Sequence, residues 1–132
     1  MQFTTVFIKA PNKWETVTSA VMALARNKAT GVSYIASGDE LSDDPTKVEI
    51  AVMQLEGAAA FALEIYWKEM VELEDDTVGM HLASMLKSDV IIQDRQLEPF
   101  GWLLLTANGK IINIDLDVVQ LDASSRVVFN VS

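Results

Sequence analysis

The stretch from residue 77 to residue 117 is the part of the sequence that most constrains the fold. It contains Asn108-Gly109, a dipeptide typical of hairpin turns because both residues tolerate positive φ. An apolar run, 102–106, precedes this turn, and apolar and polar residues alternate after it. The apolar positions after the turn are Ile112, Ile114 and Leu116. This alternation predicts a return strand that buries one face and exposes the other to water.

A helix and a buried strand are predicted directly before the hairpin. The helix is expected over about 77–88, because apolar residues recur there with the spacing of one helical face. Those residues are Val78, Leu82, Met85 and Leu86. Residues 90–92 are three successive β-branched residues, which predicts a central strand.

The first third of the chain predicts a strand, a helix and a second strand. Apolar residues between positions 3 and 8 indicate the first strand, and a stripe at helical spacing predicts a helix over about 12–29. The stripe consists of Val17, Ala20, Val21, Leu24 and Ala25. A short strand is expected at 32–36. Residues 37–46 (SGDELSDDPT) then form a loop, because glycine, serine, aspartate and proline cluster there.

Two interpretations remain open for the segment from Lys47 to Asp76. Apolar, β-branched and aromatic residues recur there at every second position, which favours two strands. Against this, Glu64, Lys68 and Glu72 have the i, i+4, i+8 spacing of a helix surface. Asp44-Pro45 also resembles a helix N-cap followed by proline. We prefer the strands, because the alternation extends over more residues.

These elements predict one α+β domain over residues 1–132, with a mostly antiparallel sheet and two main helices. Residues 126–131 add a possible edge strand. A chain of this length buries enough surface for a core without metal or disulfide support. The sequence has no cysteine, no signal-peptide pattern and no apolar run near the ~18 residues of a membrane span, so we expect a cytoplasmic protein.

The charge balance is strongly acidic, with 10 basic and 19 acidic residues and a net charge of −9. Such a field disfavours nucleic acid and anionic membranes, and it favours a basic protein partner. Residues 39–49 contain five acids and one base, and residues 64–76 contain six acids and one base. These two acidic runs therefore carry the whole net charge. The candidate partner contacts are Asp39, Glu40, Asp43, Asp44, Glu69, Glu72, Glu74, Asp75 and Asp76.

Motifs for catalysis, metal binding and cofactor binding are not found. His81 is the single histidine and lies beside the apolar stripe of the second helix, so we interpret it as a residue at the surface or at the edge of the core. The six glycines are scattered, and the acids of loop 37–46 lack the spacing of a calcium loop. We therefore predict a protein that is not an enzyme and has no catalytic residues, metal site or cofactor.

One stretch supports a resemblance to a known class of proteins. The segment HLASMLKSDVIIQD, followed by EPFGWLLLTANGKI, is similar to the closing units of small immunity and inhibitor domains. A small, acidic, cysteine-free α+β chain also resembles the immunity proteins of bacterial polymorphic-toxin and contact-dependent inhibition systems. The resemblance implies a non-catalytic cytoplasmic protein that binds a cognate toxin domain, often a basic nuclease, and occludes its active site.

The three tryptophans leave a second functional hypothesis open. Trp14, Trp67 and Trp102 either pack in the core or line an apolar ligand pocket. In the second case the chain is a small-ligand-binding or phage-type accessory domain. The sequence favours core packing for Trp67 and Trp102, because both lie in apolar strands.

Overall fold

The computed structural model of the chain describes residues 2–9, 14–25, 31–35, 41, 43–68, 71, 75–94 and 101–131. The helices are α1 (Trp14–Ala25), α2 (Asp75–Leu86) and α3 (Val118–Ser124). The first five strands are β1 (Gln2–Lys9), β2 (Gly31–Ile35), β3 (Lys47–Gln54), β4 (Glu56–Gly57) and β5 (Ala59–Trp67). The remaining strands are β6 (Val90–Asp94), β7 (Gly101–Leu105), β8 (Ile111–Leu116), β9 (Arg126–Val127) and β10 (Phe129–Val131).

The fold is α+β and is built on one eight-stranded sheet, with the order β10-β8-β7-β6-β1-β5-β3-β2. Neighbouring strands are antiparallel except β2 and β3, which run parallel, so the sheet is mostly antiparallel as predicted. The two short strands β4 and β9 form a separate parallel pair. Strand β1 lies in the middle and joins a group of earlier strands to a group of later ones.

The two main helices belong to the larger hydrophobic core, on what we call the helix face of the sheet. Val6 and Ile8 of β1, Leu63 of β5 and Leu82 of α2 are fully buried in this core. Both predicted helices are present: α1 is described over Trp14–Ala25, within the predicted 12–29, and α2 lies at Asp75–Leu86, two residues earlier than the predicted 77–88. Met85 is 49% exposed, so the predicted stripe of α2 is wrong at this position, and Ala83 is buried instead.

Helix α2 ends two residues earlier than predicted. Lys87 has a φ of +50°, which places it in the left-handed region and stops the helix after Leu86. The amide of Ser88 donates to the carbonyl of Ala83 at 3.2 Å, the six-to-one hydrogen bond of a Schellman cap.

A second hydrophobic cluster lies on the opposite face, which we call the outer face. Phe7, Ala62 and Ile91 belong to this cluster, and Leu121 of α3 packs against it. Helix α3 was not predicted. Asp117, which directly follows β8, caps α3 by accepting a hydrogen bond from the amide of Gln120 at 3.1 Å.

The segment from 47 to 67 forms strands, which confirms the preferred interpretation. The amide of Leu55 donates to the carbonyl of Ala60 at 2.9 Å and closes the β3–β5 hairpin. Glu56 and Gly57, between β3 and β5, form the short strand β4 and pair with β9. The Asp44-Pro45 pair leads into strand β3 and does not begin a helix.

The β7–β8 hairpin is confirmed, but its turn differs in detail from the expected one. Of the two turn residues Asn108 and Gly109, only Gly109 has a positive φ, at +91°. The amide of Gly109 donates to the carbonyl of Thr106 at 3.0 Å, and the amide of Thr106 donates to the carbonyl of Lys110 at 2.9 Å. This pattern is typical of a type I turn followed by a left-handed glycine.

We expect Gly57→Ala to lower the free energy of unfolding more than Gly109→Ala does. Both glycines have positive φ, +83° and +91°, and a side chain there costs about 1–2 kcal/mol. An added Cβ at Gly57 would lie 2.5 Å from the carbonyl oxygen of Val127, whereas at Gly109 the nearest atom, Cε of Met80, is 3.9 Å away. The clash costs about 1–3 kcal/mol more. Urea unfolding of both variants measures the difference, and equal losses would contradict close packing at the β4–β9 pair.

Candidate functional site

The two acidic runs are attached to the same end of the sheet. Strand β3 begins at Lys47 and strand β5 ends at Trp67, and the antiparallel register aligns Glu49 with Tyr66. The segment before β3 and the segment after β5 therefore start from adjacent positions. We call this the acidic end of the sheet. Strand β1 also begins here, since Gln2 is aligned with Trp67.

The structure describes four of the nine predicted contacts at least in part. Asp43 is exposed, and Asp44 is half-exposed before β3. Asp75 and Asp76 are the first two residues of α2. The remaining five residues, Asp39, Glu40, Glu69, Glu72 and Glu74, lie outside the described residues.

Asp44 has a structural role in the turn that precedes β3. Its Oδ1 accepts hydrogen bonds from the hydroxyl of Thr46 at 2.6 Å and from the amide of Thr46 at 2.9 Å. These bonds lower the pKa of Asp44, and the positive charges of Lys47 and Lys68 lower it further. Because the register aligns Glu49 of β3 with Tyr66 of β5, Lys68 just after β5 lies near the turn that precedes β3.

Two further acids of these runs lie within the strands and face the outer side of the sheet. Glu49 is only 7% exposed, so it is not available as a surface contact. Glu64 is half-buried, and its Oε2 accepts a hydrogen bond from the hydroxyl of Tyr66 at 2.6 Å. That bond, together with burial, raises the pKa of Tyr66 to about 12. The ring of Tyr66 stacks on the ring of Phe3, with centroids 5.7 Å apart.

An open cleft of about 710 Å³ lies between α2 and the β7–β8 turn. Its described lining includes Thr77, Met80, His81, Ser84 and the turn residues Thr106, Ala107, Asn108 and Gly109. The Nε2 atom of His81 is buried, and it has no hydrogen-bond partner within the part of the chain that the structure describes. His81 therefore lies at the border between core and cleft, as expected for a residue at the edge of the core.

Two of the tryptophans lie in the strands, and their surroundings differ. Trp67 is 1% exposed in the helix-face core. Trp102 is half-buried and stacks on Phe7, with ring centroids 5.4 Å apart. Neither belongs to the described lining of the α2–hairpin cleft. The side chain of Trp14 lies outside the described residues.

Comparisons with known proteins provide no relative from which a function can be inferred. Neither a protein family, nor a curated protein, nor a solved structure matches this chain. Within the described ranges, no three histidine or acidic side chains are grouped to hold a metal ion. Among the helices of those ranges, none has the length and apolar character needed to cross a membrane.

Sequence reasoning missed the aromatic pair formed by exposed Phe3 and half-buried Tyr66. The available signal was the alternation within β1 and β5, where one set of alternating positions is mostly apolar and the other set is mixed. Phe3 and Tyr66 belong to the mixed set, together with Thr5 and Glu64. The pattern identifies two faces, but it does not say which part of the outer face stays uncovered.

Replacing Asp44 with asparagine should lower stability near neutral pH and change it little in strong acid. The hydrogen bonds from Thr46 keep the folded-state pKa of Asp44 below its unfolded value. The contribution is therefore complete above the unfolded-state pKa and is lost as pH falls through the lower folded-state pKa. Urea unfolding of both chains at a series of pH values measures this contribution of Asp44 to the free energy of unfolding. Asp43→Asn removes the same charge from an exposed neighbour, and an identical pH profile for both variants would contradict the role of Thr46.

Proposed function

We propose that this protein is a non-catalytic cytoplasmic inhibitor that binds a basic partner protein and covers the partner's active site. The observation that carries the proposal is the β3–β5 pairing, which attaches both acidic runs to one end of the sheet. The two runs hold the whole net charge of −9, and the strands attach both of them to the same end of the sheet. A toxin domain of the nuclease type is the partner that the sequence resemblance implies, because nucleases bind phosphates with basic surfaces.

The physical role of such a surface is to accelerate and orient association. Clustered charges of one sign attract an oppositely charged partner over a distance and align the two binding surfaces before contact. A nuclease active site that recognises phosphate is itself basic, so an acidic surface is attracted to the site it must block. Inhibition of this kind needs no catalytic group on the inhibitor, in keeping with the expectation that the chain is not an enzyme.

Association with the basic domain should slow markedly as the salt concentration rises. Exposed charges are screened over about 8 Å at physiological ionic strength, so added salt weakens the long-range attraction that brings the two proteins together. Reversing two acids in each run, with Asp39→Lys, Asp43→Lys, Glu72→Lys and Glu74→Lys in one chain, should reduce both the on-rate and its dependence on salt. Stopped-flow association with the basic domain that the wild-type chain captures measures both quantities.

A matched control for this experiment places the new positive charges elsewhere. Asp115 of β8 and Asp122 of α3 are exposed, and neither belongs to the acidic runs. The double variant Asp115→Lys, Asp122→Lys should retain most of the wild-type on-rate. The double variant Asp39→Lys, Asp43→Lys, which changes the charge by the same amount, should lose more of it. An on-rate that ignores salt, or an equal loss in both double variants, would show that the acidic end is not the docking surface.

The α2–hairpin cleft supports a second candidate function, the binding of a small ligand. Its volume falls in the range of ligand sites, and the buried Nε2 of His81 at its border has no described partner. A ligand that occupies the cleft should raise the thermal midpoint of the wild-type chain but not that of Ser84→Trp, which fills the space. A thermal-shift screen of metabolites measures this. If every stabilising compound acts equally on both chains, the cleft is not their site.

A further inference from the structure

An aromatic patch lies on the outer face of the sheet beside the acidic end. We define it as Phe3, Met53, Glu64 and Tyr66. Strand pairing aligns Phe3 with Tyr66, and the same register places Glu64 one step further along that face. Met53 of β3 shares the face, because it is aligned with Ala62 of β5.

The patch combines exposed apolar surface with a shallow depression. Phe3 and Met53 are each 44% exposed, although both project from strands that bury their other face in the core. Between them, Ala51 and Ala62 are too short to fill the surface, and a small hollow forms there with Glu64 at its edge. An exposed patch of this kind is typical of an interaction site.

Glu64 gives the patch a specific chemical preference. Its carboxylate is fixed by the hydroxyl of Tyr66 at 2.6 Å. A carboxylate has about four lone-pair sites, so one hydroxyl leaves capacity for a further donor. The rings of Tyr66 and Phe3 are stacked beside it and supply an aromatic surface. A carboxylate next to an aromatic face matches a guanidinium group, which stacks on the ring while its N–H fork reaches the carboxylate.

We propose that the aromatic patch binds an arginine side chain of the basic partner. This inference rests on the proposed function and makes it more specific: the acidic runs attract the partner, and the patch selects arginine over lysine. Lysine has a compact ammonium group that does not combine planar stacking with a bidentate contact. In protein interfaces, aromatic residues near the centre commonly contribute most of the binding energy, and polar residues surround them.

The test uses two probes, an oligo-arginine peptide and an oligo-lysine peptide of the same length, titrated calorimetrically at fixed ionic strength. The wild-type chain should bind the arginine peptide about two- to fivefold more tightly, as expected for an exposed cation–π contact. Glu64→Gln should abolish the preference and leave weaker binding of both peptides through the acidic runs. Phe3→Ala should reduce the preference without altering the charge.

Matched controls separate a specific site from general attraction. Glu15→Gln removes one exposed carboxylate from α1 and should keep the arginine preference. The thermal midpoint of each variant confirms folding, and glutamine at position 64 retains an acceptor for the Tyr66 hydroxyl. Equal affinity for the two peptides in the wild-type chain, or a preference that persists in Glu64→Gln, overturns the inference.

The outcomes also distinguish this inference from the proposed function. Equal binding of both peptides that weakens when the acidic runs are reversed overturns only the arginine site. An arginine preference combined with an affinity for both peptides that does not fall when the runs are reversed supports the site and overturns the role of the runs. Absence of binding by either peptide overturns both.

Discussion

The pairing of β1 with both β5 and β6 is the interaction on which the rest of the structure depends. Strands β2, β3 and β5 lie on one side of β1, and β6, β7, β8 and β10 lie on the other. Val6 and Ile8 of β1 are fully buried, and burying an aliphatic side chain of this size contributes about 1.5–3 kcal/mol. Without β1 the sheet would divide into two parts, each with an unpaired edge. The acidic end itself depends on the β3–β5 register, and β1 joins that pair of strands to the rest of the sheet.

The outer face is divided between a covered region and an open one. The C-terminal segment covers one part and is held there by backbone hydrogen bonds of 2.9 Å. Two of them run from the amide of Glu56 to the carbonyl of Ser125 and from the amide of Ala58 to the carbonyl of Val127, and a third joins Asp117 to Val128. The aromatic patch lies towards the other ends of β1 and β5, beside the acidic end. The C-terminal segment therefore completes the second hydrophobic cluster, and it leaves the part of the outer face beside the acidic end accessible.

The elements that the sequence predicted are those with a local cause. The β7–β8 hairpin depends on Gly109, and the alternation in β3 and β5 follows from the burial of every second side chain. Helix α3 was missed because its seven residues bury no side chain completely and begin with two β-branched valines, Val118 and Val119. Its ends are set by the Asp117 cap and by the left-handed Ser125. Strand β4 has only two residues, and it forms because a partner from the distant C-terminal segment lies beside it.

The candidate site also has one part that the sequence predicts and one part that it does not. Both acidic runs are attached to one end of the sheet because one precedes β3 and the other follows β5. The order of these segments along the sequence is enough to predict this. The aromatic patch does not follow from order, since it depends on how far α3 and β9 extend across the outer face. The residues that cover the neighbouring part of the outer face lie more than a hundred positions after Phe3 in the sequence.

The central position of β1 also has a consequence for synthesis of the protein. Its two neighbours come much later in the chain, at Ala59–Trp67 and Val90–Asp94. A ribosome that adds about 5–20 residues per second exposes β1 for several seconds before either neighbour can pair with it. During that time the apolar side chains of Val6, Phe7 and Ile8 have no strand to join. The two groups of strands can therefore be joined through β1 only after β6 has been synthesised.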